Sequence, residues 1–323
     1  MKTRPKKLLI AVLSFLMVTA TGFLPAESSQ VFSPGDHTIT FNHGGRERSA
    51  IVHVPPRLPD TPAIPVVLNF HGGGGYGSQE KEYALMDGLA DREAFVAVYP
   101  NGTGHFGNRL LTWNAGTCCG YAAINKVDDV GFVRELITQL SGRLSIDRRR
   151  IYATGLSNGG MMSYRLGSEA ADLIAAIAPV AGGMVLPRIK TSRSVPVMHI
   201  NSVDDPRALY TGGLGMPFPF TKSQVFHPNI DQMIARWVTH DGCGAEPTTA
   251  ERRANHDGRG HTATRYVYTN CREGGEVVLW KLTGAGHVWP SGRQKYLELL
   301  LGPSTDVIDA NQEMWNFFKR FSL

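Results

Sequence analysis

The sequence predicts an α/β protein, with a mostly parallel central sheet flanked by helices and a β-hairpin at its N-terminal end. Three observations carry this expectation. Short apolar runs without alternation recur along the chain, the mark of strands buried on both faces. Other stretches carry apolar residues at helical spacing. The two kinds alternate, as they do when helices cover both faces of a parallel sheet. The 323 residues, 42% hydrophobic and 19% charged, suffice for a sizeable core.

The first residues stand apart from this pattern. "MKTRPKK" is basic, "LLIAVLSFLMV" is apolar, and small residues follow. This is the layout of a secretory signal peptide over residues 1–26, with cleavage after Ala20 or Ala26. Its apolar core is short for a membrane span. The expectation is therefore a secreted protein, extracellular or periplasmic, with no stable membrane insertion after cleavage and a single domain over 27–323. Lys2, Arg4, Lys6 and Lys7 leave with the leader, so the formal +5 falls by four to +1. No basic run with interleaved aromatics is present, which argues against a nucleic-acid partner.

The elements follow in order. "HTITFNHGGRERSAIVHVPP" reads as a hairpin, two β-rich runs around a glycine turn. "AIPVVLNF" and "AFVAVYP" read as buried strands. "DDVGFVRELITQLSGRL" is helical, with Val130, Val133, Leu136, Ile137, Leu140 and Leu144 on one face and Asp128 or Asp129 as its cap. Next come the strand "RIYATGL", the helix "NGGMMSYRLGSEA", and the strands "IAAIAPVAG" and "VPVMHI". The helix "NIDQMIARWVTH", the strand "EVVLWKL" and the helix "DVIDANQEMWNFFKRF" close the chain. The Pro-rich segment "GLGMPFPFTKSQVFHP" reads as a loop lying on the body.

Four cysteines suggest disulfides in an exported chain, and sequence alone allows three connectivities. Cys118 and Cys119 bridge each other or pair elsewhere. The pairing Cys243–Cys271 is preferred because each follows an element end. It would close a loop of about 29 residues, worth roughly 3–4 kcal/mol in the chain-entropy model. No CxxC or HxxxH spacing offers a zinc site, so no metal is expected.

The chemistry concentrates in glycine-rich turns. "GLSNG" fits the pattern G-x-S-x-G between a strand and a helix, which holds a serine, here Ser157, on a strained turn. Gly155 and Gly159 must be small there, and Gly160 lets the helix approach the sheet. The helix N-terminus aims N–H groups, that of Asn158 among them, where negative charge develops. "NFHGGGG" places His71-Gly72-Gly73-Gly74-Gly75 after a strand, as in loops that donate an oxyanion N–H. Asp204 and Asp205 follow another strand, where an α/β sheet presents functional residues. His287 lies in the glycine-rich loop "TGAGHVWP" after a late strand. The order serine, aspartate, histidine is that of the α/β-hydrolases.

Together with "TWNAGTCCGYA", "VDDVGFVRELI" and "HINSVDDPRALY", these pieces resemble the secreted polyhydroxybutyrate-depolymerase and feruloyl-esterase group of α/β-hydrolases. The resemblance covers nearly the whole chain after the leader. It implies Asp205 as triad acid beside Ser157 and His287, with Asp204 the fallback, because Asn201-Ser202-Val203 departs from the group's pattern before the acid. It implies Gly73 as oxyanion donor, with Gly74 next. It implies a serine esterase that needs no metal or organic cofactor and works through an acyl-enzyme. The expected substrates are feruloyl- or acetyl-type esters linked to carbohydrate, since the chain carries no linker and added binding domain. Poly(3-hydroxybutyrate) or another polyester is the alternative, and a catalytically inactive binding protein a further one. Trp113, Trp289 and Tyr76 stand in or beside these loops, as stacking residues or as core.

Overall fold

The computed structural model describes residues 31–57, 63–217, 224–255 and 258–323. The expected leader, residues 1–26, lies outside the described residues. Strands β1 (Gly35–His43) and β2 (Arg46–Val54) form the hairpin, with His43 opposite Arg46. Gly44 and Gly45 make its two-residue turn, with φ of 58° and 72°. Positive φ at both positions matches the twist of the flanking strands.

The body is built from β3 (Ile64–Phe70), β4 (Val96–Pro100), β5 (Ile146–Leu156), β6 (Ala176–Val180) and β7 (Val197–Ser202). A small hairpin follows, β8 (Gly213–Leu214) with β9 (Phe226–His227), and then β10 (Thr248–Ala254), β11 (Thr262–Tyr268) and β12 (Val277–Thr283). Ten strands share one sheet in the order β1-β2-β4-β3-β5-β6-β7-β12-β11-β10. The central six, β4 to β12, are parallel to one another. The hairpin at one edge and β11–β10 at the other are antiparallel.

Helices cover both faces. They are α1 (Gly77–Ala84), α2 (Asp87–Glu93), α3 (Gly120–Ile124), α4 (Asp129–Ser141), α5 (Asn158–Glu169), α6 (Ile230–Asp241), α7 (Glu298–Leu301) and α8 (Ala310–Phe318). Strand β3 shows why its sequence does not alternate. Val66, Leu68 and Phe70 enter the core shared with α4, α5 and α6, while Val67 enters the core shared with α1, α2 and α8. Each such side chain contributes roughly 1.5–3 kcal/mol by leaving water.

Asp128 is the cap of α4, accepting the N–H of Gly131 at 2.9 Å. Asp129 has a different task. It is fully buried and pairs with the buried guanidinium of Arg48 at 2.8 Å. Its other oxygen accepts the N–H of Asn114 at 2.8 Å.

Helices α1, α2, α3 and α7 and strands β8 to β11 escape the sequence pattern, three of them for visible reasons. Helix α1 is mostly polar, and one of its core-facing positions is Glu80. Strand β10 is largely exposed and carries Glu251, Arg252 and Arg253, as a protected sheet edge does. Strand β11 lies between β10 and β12 with five of its seven residues half-buried, and its alternation is correspondingly weak. The Pro-rich segment contributes β8 and β9, and residues 218–223 within it lie outside the described residues.

Asp36, His53 and Asp87 gather at the base of the hairpin, within reach of a shared cation. Lys81 Nζ already bonds both carboxylates. His53 donates from Nδ1 to Asp36 at 2.7 Å and from Nε2 to Asp91 at 2.9 Å, so its ring is the charged form. Among the described residues, no helix is long and apolar enough to cross a membrane. Cys243 is bridged to Cys271 and Cys118 to Cys119.

Candidate active site

The loops that follow β5, β7 and β12 leave the sheet at the same edge, the carboxyl ends of parallel strands. There an open α/β sheet presents its functional groups. Ser157 follows β5 directly and starts α5. Its φ is 57° and its ψ is −116°, a conformation that L-residues rarely hold. Its N–H bonds Val180 O of the neighbouring β6 at 2.8 Å, which secures the turn to the sheet.

The glycines around it are required by distance. A Cβ on Gly159 would lie 1.9 Å from Phe70 O, and one on Gly155 2.4 Å from the same oxygen. Strand β3 thus passes through the space that any larger residue would fill. The loop after β3 then closes over the serine. A Cβ on Gly72 would lie 3.6 Å from Ser157 Cβ.

Within that loop the N–H groups are unequal. Gly74 donates to Leu111 O at 2.7 Å and Gly75 to Gly72 O at 3.0 Å. The N–H of Gly73 has no partner among the described residues. Nor does that of Asn158, a first-turn helix donor with no intrahelical acceptor. Two free donors therefore flank Ser157.

Both are braced. His71 is fully buried, donates from Nδ1 to Gly72 O at 2.8 Å, and accepts the N–H of Gly102 on Nε2 at 3.0 Å. Burial, aided by the charge of Arg48, lowers it to about 4, so it stays neutral as that pattern requires. The amide of Asn158 is bound on both sides by one residue. It accepts the N–H of Trp113 at 2.7 Å and donates to Trp113 O at 3.1 Å. The indole of Trp113 donates to His71 O at 3.0 Å.

Asp205 and His287 meet across β7 and β12. His287 Nδ1 donates to Asp205 Oδ2 at 2.7 Å, and both residues are buried. The other oxygen of Asp205 accepts the N–H groups of Arg207 and Ala208 at 2.7 and 2.8 Å. Asp204 instead accepts the N–H of Gly284, where the His287 loop begins, at 2.7 Å. Trp113 and Trp289 are buried core residues with bonded indole nitrogens, and Tyr76 is exposed.

Two features escape sequence reasoning. The Asn158–Trp113 clamp spans 45 positions and leaves no local pattern. His227, within electrostatic reach of His287 and Asp205, is marked only by its place at the end of the Pro-rich segment.

The sheet, the turn at Ser157 and the paired Asp205 and His287 define an α/β-hydrolase fold. Within that class the chain belongs to the PHB depolymerase esterase family, whose profile matches residues 49–244. It is 30% identical over 292 residues to feruloyl esterase B of Piromyces equi, covering 85% of this chain and 46% of that protein. It is 27% identical over 280 residues to a bifunctional acetylxylan esterase/xylanase of Neocallimastix patriciarum, covering 86% of this chain and 34% of the other. The chain thus spans less than half of either relative. The fold is shared with an acetyl xylan esterase from Aspergillus awamori, with a TM-score of 0.53 and 14% identity over 84% of this chain and 94% of that one.

Proposed function

We propose that the protein is a secreted serine esterase acting through an acyl-enzyme. The observation that carries this is the buried Asp205–His287 bond at the sheet edge where the strained Ser157 stands between two free N–H groups. In this reading His287 takes the proton of Ser157, which attacks the ester carbonyl. Asp205 holds the imidazole in the tautomer that leaves Nε2 as base and stabilises the cation that forms. The N–H groups of Gly73 and Asn158 receive the oxyanion, since that of Gly74 is already engaged. His287 then protonates the leaving alcohol, and water activated by His287 clears the acyl group. All of these steps run on side chains and backbone of this chain.

The substrate class in this proposal is feruloyl- or acetyl-type esters linked to carbohydrate. The two relatives, named as a feruloyl esterase and a bifunctional acetylxylan esterase/xylanase, support it. A second reading, a polyester substrate, is favoured by the family description and by exposed Leu214, Met216 and Phe226 on one small hairpin. The leader pattern and the two disulfides support export.

The test is a panel of methyl ferulate, acetylated xylan, short p-nitrophenyl esters and a polyhydroxybutyrate suspension, each with wild type and Ser157→Ala. Hydrolysis that vanishes in a folded Ser157→Ala supports the mechanism, and the preferred ester names the substrate class. Equal turnover by the variant overturns it.

A further inference from the structure

The reaction as proposed uses one histidine for proton transfer, yet a second imidazole lies within electrostatic reach of the Asp205–His287 pair, and Gly215, on which its ring rests, also lies against Arg207 O. His227 closes β9, opposite Gly213 of β8, and is 7% exposed. Burial, with the charge of His287 adding to it and Asp205 opposing both, lowers it to about 4. It is therefore neutral at any ordinary pH and sits in the field of both groups.

Its place is fixed by close contacts. A Cβ on Gly215 would lie 2.8 Å from His227 Nε2, so the ring edge rests on that glycine. The next residue, Pro228, lies on Gly183, where a Cβ would come 2.6 Å from Pro228 Cγ. Gly182 in turn lies against Ser157, where a Cβ would be 2.1 Å from its carbonyl oxygen. The small hairpin and the serine turn thus share one wall.

The hydrogen bonding of His227 is incomplete. His199 and His261 also leave a sealed ring nitrogen without a partner among the described residues, so what sets His227 apart is its place near the Asp205–His287 pair. His71, His53 and His240 each have both ring nitrogens bonded. His227 Nδ1 is sealed from solvent and has no partner among the described residues. Nε2 has no such partner either, but it is not sealed. A sealed, orphaned N–H is rarer in proteins than a sealed lone pair. The proton therefore belongs on Nε2, which leaves a neutral N–H donor without an acceptor.

We propose that His227 is a substrate-selecting residue, its Nε2–H donating a hydrogen bond to an oxygen of the ester outside the reacting carbonyl. The inference rests on the esterase reading above. It goes beyond that reading by assigning the site a preference for oxygen-bearing esters over hydrocarbon isosteres. A site that expects a hydrogen-bonded oxygen discriminates against the analogue that lacks it.

The experiment uses matched esters that differ by one oxygen-bearing group: p-nitrophenyl 3-hydroxybutyrate against butyrate, methyl ferulate against cinnamate, and glyceryl monobutyrate against propyl butyrate. kcat/KM is measured for the wild type, His227→Leu and His227→Gln. The expected result is a wild-type preference of about 10-fold or more for the oxygen-bearing member of at least one pair. His227→Leu brings that ratio towards one, and His227→Gln, which keeps a donor, retains much of it. A ratio near one for every pair in the wild type, or an unchanged ratio in His227→Leu, overturns the proposal.

A measurement on the wild type keeps the test independent of how the variants fold. In ¹⁵N-labelled protein the His227 signals should show Nε2 protonated, hold steady from pH 5 to pH 8, and move when the acid or alcohol product of the preferred pair is added. An Nδ1-protonated ring, or no response to either product, overturns the proposal. Absence of turnover with every ester would overturn the esterase reading and this inference together. Turnover with equal ratios overturns this inference alone.

Discussion

Asp204 and Asp205 are neighbours in the chain with opposite partners: Asp205 accepts the imidazole N–H of His287 at 2.7 Å, and Asp204 accepts the backbone N–H of Gly284 at 2.7 Å. One carboxylate holds the proposed base and the other holds the start of its loop. Asp205→Asn should lower kcat about 10⁴-fold, because the amide favours the wrong tautomer. Asp204→Asn should cost roughly 10²-fold at most, through misplacement alone. Kinetics with a p-nitrophenyl ester check this, and the reverse ranking would move the acid to Asp204.

The serine turn should be intolerant of a single methyl group. Gly159→Ala places a Cβ 1.9 Å from a backbone oxygen of β3, which no side-chain rotation relieves. The expected cost exceeds about 4 kcal/mol, enough to prevent folding or collapse the melting temperature. Gly88→Ala in α2 is the control. Its Cβ would lie 3.8 Å from the flexible Arg92 side chain, and a change of about 0.4–1 kcal/mol in the stabilising direction is expected. Thermal melts of both variants decide the matter.

Glu80 carries a buried carboxyl that burial pushes up from 4.5 to about 8. In the unfolded chain it ionises at its ordinary value, while the folded protein keeps it protonated. Wild-type stability therefore falls as pH rises from about 4.5 towards 8. Glu80→Gln removes that loss, so its urea midpoint should exceed that of the wild type at pH 7 and meet it near pH 4. Parallel curves across that range would show that Glu80 is ionised in the folded protein.

His53 should respond with the same sign from a different cause. Burial opposes its charge, but bonds to Asp36 and Asp91 and the charge of Asp87 outweigh that and raise it. Its stabilisation is complete below about pH 6.5, the ordinary histidine value, and is lost as pH rises through the raised folded value. The stability difference between wild type and His53→Gln should be largest near pH 5.5 and shrink at alkaline pH. Urea titrations at several pH values test this, and a constant difference would mean that the ring is uncharged.

The serine turn, the glycine loop after β3 and the late histidine were legible because each needs a short, local residue pattern. Gly155, Ser157 and Gly159 announce a steric demand that only close backbone approach creates. The parallel core was legible for a similar reason, since β3 and β4 are apolar on both faces. What escaped was set by distant partners. Asp205 was preferred over Asp204 only through the resemblance, because the choice depends on which of two adjacent carboxylates reaches His287. Helix α1 was hidden by Glu80 at a core position, and β10 by the charges that protect an edge. His227 offered no spacing at all, because its meaning comes from Asp205 and His287, 22 and 60 positions away.

The pair of hydrogen bonds between the Asn158 amide and Trp113 makes the turn answer to a loop far upstream in the chain. Until that loop docks, the Asn158 side chain has nothing to brace it, although Ser157 N–H is already tied to Val180 O. Turnover would then report the completion of folding rather than its beginning: a chain with its sheet formed but the Trp113 loop adrift would look native by circular dichroism and be silent towards esters.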